Sequence, residues 1–408
     1  MLCYTSMKRF PIALALLSVA PVAAWAQEQR YTIQDLGTLG GATFALDVSE
    51  SGLVVGRSNI DALSSHAFLW LPVPDLGLPP GMHDLGTLGD GTLSQAKGID
   101  AVGRVVGSST LTADPGDFAR HAFLWEQGSM SDLGTFGSSP RSFAEAINQV
   151  GDVAGYVSAL GCLPVLWLPE ARYGLPAGLN LLPTFVGHAD GKALDVNDLG
   201  QVVGYVTAAC DVPNGNAHPY LWLPEPALGL PAGAHDLLAG TNDGFETFAA
   251  AINDHGEIVG YRTEDFNDYQ PWIWRDGTFE PLPLPAGAVS ARANDLNDAG
   301  QIVGASGADL VGPFRAVLWE RGQVLDLNEL IPPGTDWILE TANGINQPGQ
   351  IAGSGLLSGE RRAFLLSPAS LLEIPALNLA GAVLLSLLLA GGGAALLARR
   401  RTARGARI

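Results

Sequence analysis

Cysteine, basic charge and chemical motifs are all in short supply. Three cysteines occur in 408 residues. No CxxC pair or zinc-type Cys/His spacing connects them, so a zinc-held module is excluded. Only 15% of residues are charged, and Lys and Arg number 22 against 41 Asp and Glu. Lys8, Arg9, Arg399, Arg400, Arg401, Arg404 and Arg407 lie in the two end segments. Residues 27–368 keep the other 15 basic residues against 40 acidic ones, Glu373 being the one acid outside, for a formal net charge of −25. A domain so acidic repels nucleic acid. Also missing are a GxSxG elbow, a P-loop, an HExxH helix and a dinucleotide fingerprint. No catalytic, cofactor-binding or metal-binding residue is therefore assigned. Glycine (51) and proline (27) are plentiful beside 47% apolar residues. That is apolar material for a large core, with turn residues too frequent for a long helical domain.

One stretch recurs seven times: 45–56 (ALDVSESGLVVG), 96–107, 144–155, 193–204 (ALDVNDLGQVVG), 249–260, 293–304 and 342–353. The closing glycines, Gly56, Gly107, Gly155, Gly204, Gly260, Gly304 and Gly353, are spaced by 51, 48, 49, 56, 44 and 49 residues. A period of that length marks an array, often a propeller. Each copy reads as two short strands joined by a tight turn. Asn148, Asn197, Asn253, Asn297 and Asn346 cap the turn through the side chain, and Gly151, Gly200, Gly256, Gly300 and Gly349 supply φ > 0. A residue needed in every copy is geometry rather than chemistry. The spacing lacks the dense alternate carboxylates of a calcium loop.

A third apolar strand follows each hairpin: HAFLW at 66–70 and 121–125, then LPVLW, HPYLW, QPWIW, RAVLW and RAFLL. A fourth, DLGTLG, stands at Asp84–Gly89 and, as DLGTFG, at Asp132–Gly137, with an orphan copy at Asp35–Gly40. Through His66-Ala67-Phe68, His121-Ala122-Phe123, the DLGTLG strings and the Ile-Asn-x-x-Gly hairpins, the chain resembles the HAF-repeat family of exported bacterial proteins. That resemblance implies a surface location and no defined activity. Four short strands per repeat are the arithmetic of a propeller blade. The expectation is an all-β, seven-bladed β-propeller of four-stranded blades over 27–368. Repeat seven lacks a fourth strand, and the orphan N-terminal strand is expected to supply it and close the ring.

The ends read as addresses. Residues 1–26 have the form of a secretory signal peptide: Lys8-Arg9, an apolar Phe10 to Val22, and Ala24-Trp25-Ala26. Residues 379–398 carry no charge over 20 positions, the length of a transmembrane helix, and the arginines of 399–408 place that tail in the cytoplasm. Ile374-Pro375-Ala376-Leu377 precedes it in a 369–378 linker. This arrangement resembles the IPTL-CTERM sorting signal of Gram-negative bacteria. The resemblance implies an envelope sorting enzyme as partner, transient membrane attachment through 379–398, and delivery to the cell surface.

Within the array, loops fall on two faces. One face carries the variable segments with Asp114, Asp117, Asp211, Asp265 and Asp268. The other carries long Pro-rich hairpins at 71–81, 168–178 and 223–233, expected to pack on neighbouring repeats or to form a partner-binding patch. Cys162 and Cys210 occupy matching loop positions in repeats three and four, and an exported protein meets an oxidising compartment. A disulfide between them is predicted. His66, His121 and His218 share one position that elsewhere holds Leu163, Gln270, Arg315 and Arg362, so they read as a strand entry rather than a metal site. Glu246, His255, Glu264 and Asp265 are non-repeated polar residues and would be the first suspects for an enzyme. The reading is a non-enzymatic surface propeller that binds an extracellular glycan or protein. The alternatives are a polysaccharide-active enzyme or a surface-layer subunit.

Overall fold

The computed structural model describes residues 30–369, apart from 115–118, 138, 160, 186, 210–215, 240–243, 265–267 and 309–311. The signal-peptide segment, the sorting motif Ile374–Leu377, residues 379–408, Cys210, Asp117, Asp211 and Asp265 lie outside the described residues.

Each repeat gives an antiparallel run of short strands. The first repeat is Thr43–Val48, Val54–Asn59, Ser65–Leu71 and Gly81–Gly86, paired in that order. In the third strand Ala67, Phe68, Leu69 and Leu71 are all 0% exposed. Neighbouring repeats cover both of its faces, which is why HAFLW shows no polar alternation. The core therefore lies between repeats. Leu53, Val55 and Leu69 pack with Ala96, Val105 and Phe123 of the next repeat. Val203, Leu221 and Leu223 likewise pack with Ala249, Ile258 and Trp272. Each fully buried side chain of this size contributes about 1.5–3 kcal/mol relative to exposure.

The first strand of each repeat lines the axis. These inner strands touch one another in succession, and Trp337–Ile345 touches Thr43–Val48 to close the circle. All seven are bulged, as at Ala45/Asp47, Ala193/Asp195 and Ala293/Asp295. A bulge adds a residue and bends the strand. Tyr31–Asp35 pairs antiparallel with Glu360–Pro368, so the start of the chain forms the outer strand of the blade built by its last repeat.

The expectation of seven separate blades needs correction, while the stretch expected to form a transmembrane helix, 379–398, lies outside the described residues. The strands form five separate four-stranded blades and one eight-stranded double blade. Repeats two and three share the latter because Arg141 makes a parallel bridge to Arg120. Only six residues connect Ser129–Gly134 to Arg141–Ile147. Ser142 reinforces the junction, accepting the Ala122 N–H at 2.9 Å and donating to the Gly134 oxygen at 2.6 Å. Among the described residues no helix is long and apolar enough to cross a membrane; the turn Leu327–Glu329 is a single 3-10 turn.

Candidate functional site: a charge-segregated channel

The turns that end the inner strands ring one mouth of the channel. Gly151, Gly200, Gly256, Gly300 and Gly349 have φ of +91, +74, +76, +72 and +81°. The asparagines before them do more than cap. Asn197 Oδ1 accepts the N–H groups of Leu199 and Gln201, while its Nδ2 donates to the Asn253 oxygen of the next repeat at 2.9 Å. The same cross-repeat bond runs from Asn148 to Asn197, Asn253 to Asn297, Asn297 to Asn346 and Asn346 to Ser49. The five asparagines are staples between repeats.

Just outside them a second chain of bonds circles the mouth. The N–H groups of Gln149, Asp198, Asp254, Asp298 and Gln347 donate in turn to the side chains of Asp198, Asp254, Asp298, Gln347 and Glu50. Four of these side chains are acids. Burial, then repulsion from the others, raises the pKa of Glu50 and of Asp254. Deeper in, Asp47, Asp195 and Asp295 reach across to accept the N–H of Ile99, Ile252 and Ile345 at 2.9, 2.8 and 2.7 Å. Burial pushes Asp47 and Asp195 up to about 6, and Asp295 well above its ordinary 3.8, with Asp195 and Asp47 adding to the effect at Asp295. The side chains keep a little water contact through the channel they border, but protein surrounds them on every side.

The opposite end of the inner strands is different. In five repeats the residue just before the repeated Ala is aromatic or basic: Phe44, Phe143, Lys192, Phe248 and Arg292. Four face Arg57, Tyr156, Tyr205 and Tyr261 on the second strand. Phe143 stacks on Tyr156 with centroids 4.6 Å apart, and Lys192 Nζ lies 4.6 Å over the Tyr156 ring. Tyr205 meets Phe248 at 4.9 Å, Phe248 meets Tyr261 at 5.2 Å, and Tyr261 meets Tyr269 at 5.4 Å. Arg292 covers Tyr269 at 3.6 Å and Tyr261 at 5.2 Å. Further round, Arg57 and Arg361 flank Phe44 at 4.1 and 5.5 Å. A cavity of about 340 Å³ opens where the arc ends, lined by Tyr269, Arg292, Phe314, Glu340, Thr341 and Arg361. One mouth thus carries a ring of acids, and the other an arc of aromatic and basic side chains whose flanking variable loops also hold Asp114 and Asp268.

The remaining candidates are accounted for singly. His66, His121 and His218 pair with Asp84, Asp132 and Asp236 on the adjacent strand at 2.9, 2.7 and 2.9 Å, as Arg315 and Arg362 pair with Asp326 and Asp35. The His of HAF and the Asp of DLG are therefore partners within a blade. Among the described residues no group of three or more His, Cys, Asp or Glu side chains could hold a metal ion. Cys162 is disulfide-bonded, and its predicted partner Cys210 lies outside the described residues. Glu246 accepts the N–H groups of Asn216 and Ala217 at 2.9 and 2.6 Å. His255 lies past the far end of the same strand, Glu246–Ile252, roughly 20 Å of extended chain away. These two do not converge. The hairpins at 71–81, 168–178 and 223–233 place Leu76, Tyr173 and Leu228 against the turn glycines Gly103, Gly200 and Gly256 of the following repeat.

Between repeats four and five lies a smaller cavity of about 230 Å³, lined in part by Thr247, Trp272 and Phe279. Thr247 Oγ1 and Trp272 Nε1 are buried there without a hydrogen-bond partner. In repeats two and three the matching Ser94 and Ser142 accept the N–H of Ala67 and Ala122 in the preceding repeat. Repeat four has Pro219 at that place, and proline has no N–H to give.

No protein-family profile and no curated protein matches the chain. Among solved structures it is similar to the β-propeller domain of the Trilobed protease from Pyrococcus furiosus: 8% identity, 81% of this chain and 96% of that one, TM-score 0.50. It is also similar to an oligogalacturonate lyase in complex with manganese: 9% identity, 83% of this chain and 93% of that one, TM-score 0.51. At such identities these likenesses show the fold alone. The chain is a β-propeller.

Proposed function

We propose that this chain is a non-enzymatic binding propeller exported to the cell envelope, and that it takes an extracellular glycan on the face bearing the aromatic and basic arc. The arc carries the reading. It places half-buried rings and cations in one continuous row, on the face whose loops vary most between repeats. Variable loops on a rigid scaffold are the usual seat of binding. The repeated polar residues, by contrast, are occupied in holding repeats together. Glu246 and His255 lie at opposite ends of one strand, so these two do not converge on one substrate. Export rests on the leader at 1–26, and handling by an envelope sorting enzyme rests on Ile374–Leu377.

The test places the purified full chain on a panel of immobilised extracellular polysaccharides, with retained protein and released fragments read by mass spectrometry. Retention without fragments is expected, and Arg292→Ala with Tyr269→Ala should weaken it. Released sugar fragments would overturn the non-enzymatic reading. Recovery of the protein from the cytoplasmic fraction would overturn export.

A further inference from the structure

We infer that the ligand of this face is an acidic polysaccharide, its carboxylate or sulfate groups held by Arg120, Arg141 and Arg292 and its sugar rings by the aromatic arc. This rests on the binding reading above and narrows it to a chemical class.

Counter-ions provide the first argument. Carboxylates outnumber cations in 27–368 by 40 to 15, so a cation without an acidic partner is an anomaly there. At least eight of the basic residues are in ion pairs with described carboxylates, among them Arg30 with Glu320, Lys97 with Glu145 and Arg361 with Glu340. Arg57, Arg120, Arg141 and Arg292 make no ion pair among the described residues, and all four lie at the arc end of their strands. Burial lowers the pKa of Arg57 and of Arg120, and the neighbouring Arg141 adds to the effect at Arg120. A half-desolvated guanidinium without a carboxylate is relieved by a bound anion.

Geometry gives the second. Arg141 stands two residues before Phe143, on the same side of its strand, beside the Phe143–Tyr156 stack. Arg292 is exposed, with its guanidinium carbon over the Tyr269 ring. Cations thus alternate with ring faces. A pyranose chain offers the matching pattern: apolar C–H faces for aromatic rings, and one anionic group per acidic sugar for a bidentate arginine. Nucleic acid fits worse. Duplex DNA carries a charge every ~1.7 Å, far denser than these arginines. The acidic ring at the opposite mouth and Asp47, Asp195 and Asp295 at the waist also repel an anionic chain, so the ligand lies across the face rather than through the channel.

The experiment measures equilibrium binding of the full chain to two matched pairs: polygalacturonate with its methyl ester, and dextran sulfate with dextran. The acidic member of at least one pair should bind about tenfold tighter or more, and the gap should close near 1 M NaCl, where the Debye length is ~3 Å. Arg292→Gln and Arg141→Gln should each weaken the acidic member several-fold, while Arg321→Gln, on the opposite face, should not. Equal binding within both pairs would overturn the acidic class and leave the binding reading standing. Binding of poly-glutamate but of none of the four polysaccharides would overturn it in favour of an acidic peptide. Absence of binding to all five probes would sink both.

Discussion

Asn346 Nδ2 donates to the main-chain oxygen of Ser49 at 2.9 Å, joining the last repeat to the first across 297 positions of sequence. Asn346→Asp keeps the Oδ1 acceptor for the Gln350 N–H but removes this donor, and sets a carboxylate against Ser49 O and Gln350 Oε1. A loss of about 1–3 kcal/mol is expected, read as a lower urea midpoint; an unchanged midpoint would show that the staple does not stabilise the ring. Repeat two has Asp100 at this place, and Arg104 spans the gap instead, bonding Asp100 through Nε and the Gln149 oxygen through Nη2. Arg104→Ala should cost about as much.

The three aspartates at the waist make stability depend on pH. Their pKa values are raised in the folded state, to about 6 for Asp47 and Asp195 and well above 3.8 for Asp295. The folded protein therefore holds more protons than the unfolded chain above pH 3.8, and stability falls as pH rises through this window. Glu320, held below its ordinary value by Arg30 despite burial, acts in the opposite sense, but only as pH falls below about 4.5. The melting temperature should drop between about pH 5 and 6.5, and Asp295→Asn should flatten the trend. A melting temperature that rises over this interval would contradict the placement of these carboxylates.

Thr247 and Ser142 occupy the same place in two repeats with opposite surroundings. The Ser142 hydroxyl bonds at both ends, to Ala122 N and Gly134 O. Ser142→Ala should cost about 1–3 kcal/mol because it strands both. Thr247→Val exchanges an unpartnered hydroxyl for a methyl and should be neutral or stabilising by up to about 1 kcal/mol. Equal losses from both, by denaturant titration, would refute the contrast.

The seven closing glycines have a steric cause. A Cβ on Gly204 would strike the carbonyl oxygen of Lys192, and one on Gly56, Gly155 or Gly304 would meet the carbonyl of Phe44, Phe143 or Arg292. The bulge in the inner strand brings each carbonyl there. Gly204→Ala should destabilise by roughly 2–4 kcal/mol, whereas Gly77→Ala, with nothing within 4 Å, should cost less, its positive φ being the main penalty. Similar losses at both sites would remove the steric explanation.

The hairpins were legible because their chemistry is local. An Asn cap and a φ > 0 glycine act within four residues, so Asn197 and Gly200 announce a turn wherever the strands go. The His of HAF and the Asp of DLG were visible as repeated letters, but not as partners, because antiparallel pairing brings His66 to Asp84 across 18 positions. The arc left one readable signal that spacing alone did not interpret: an aromatic or basic residue before the repeated Ala.

By itself the sequence determined the repeat, its turns and the all-β character, since propensity, glycine and proline act on neighbours along the chain. Only the tertiary structure decided how strands group into sheets, which carbonyl each glycine must clear, and which mouth of the channel is acidic. Those depend on contacts between residues some 50 positions apart or more, as between Asn148 and Asn197 or Asp195 and Ile252, and the packing of whole blades around an axis, rather than local preference, sets them.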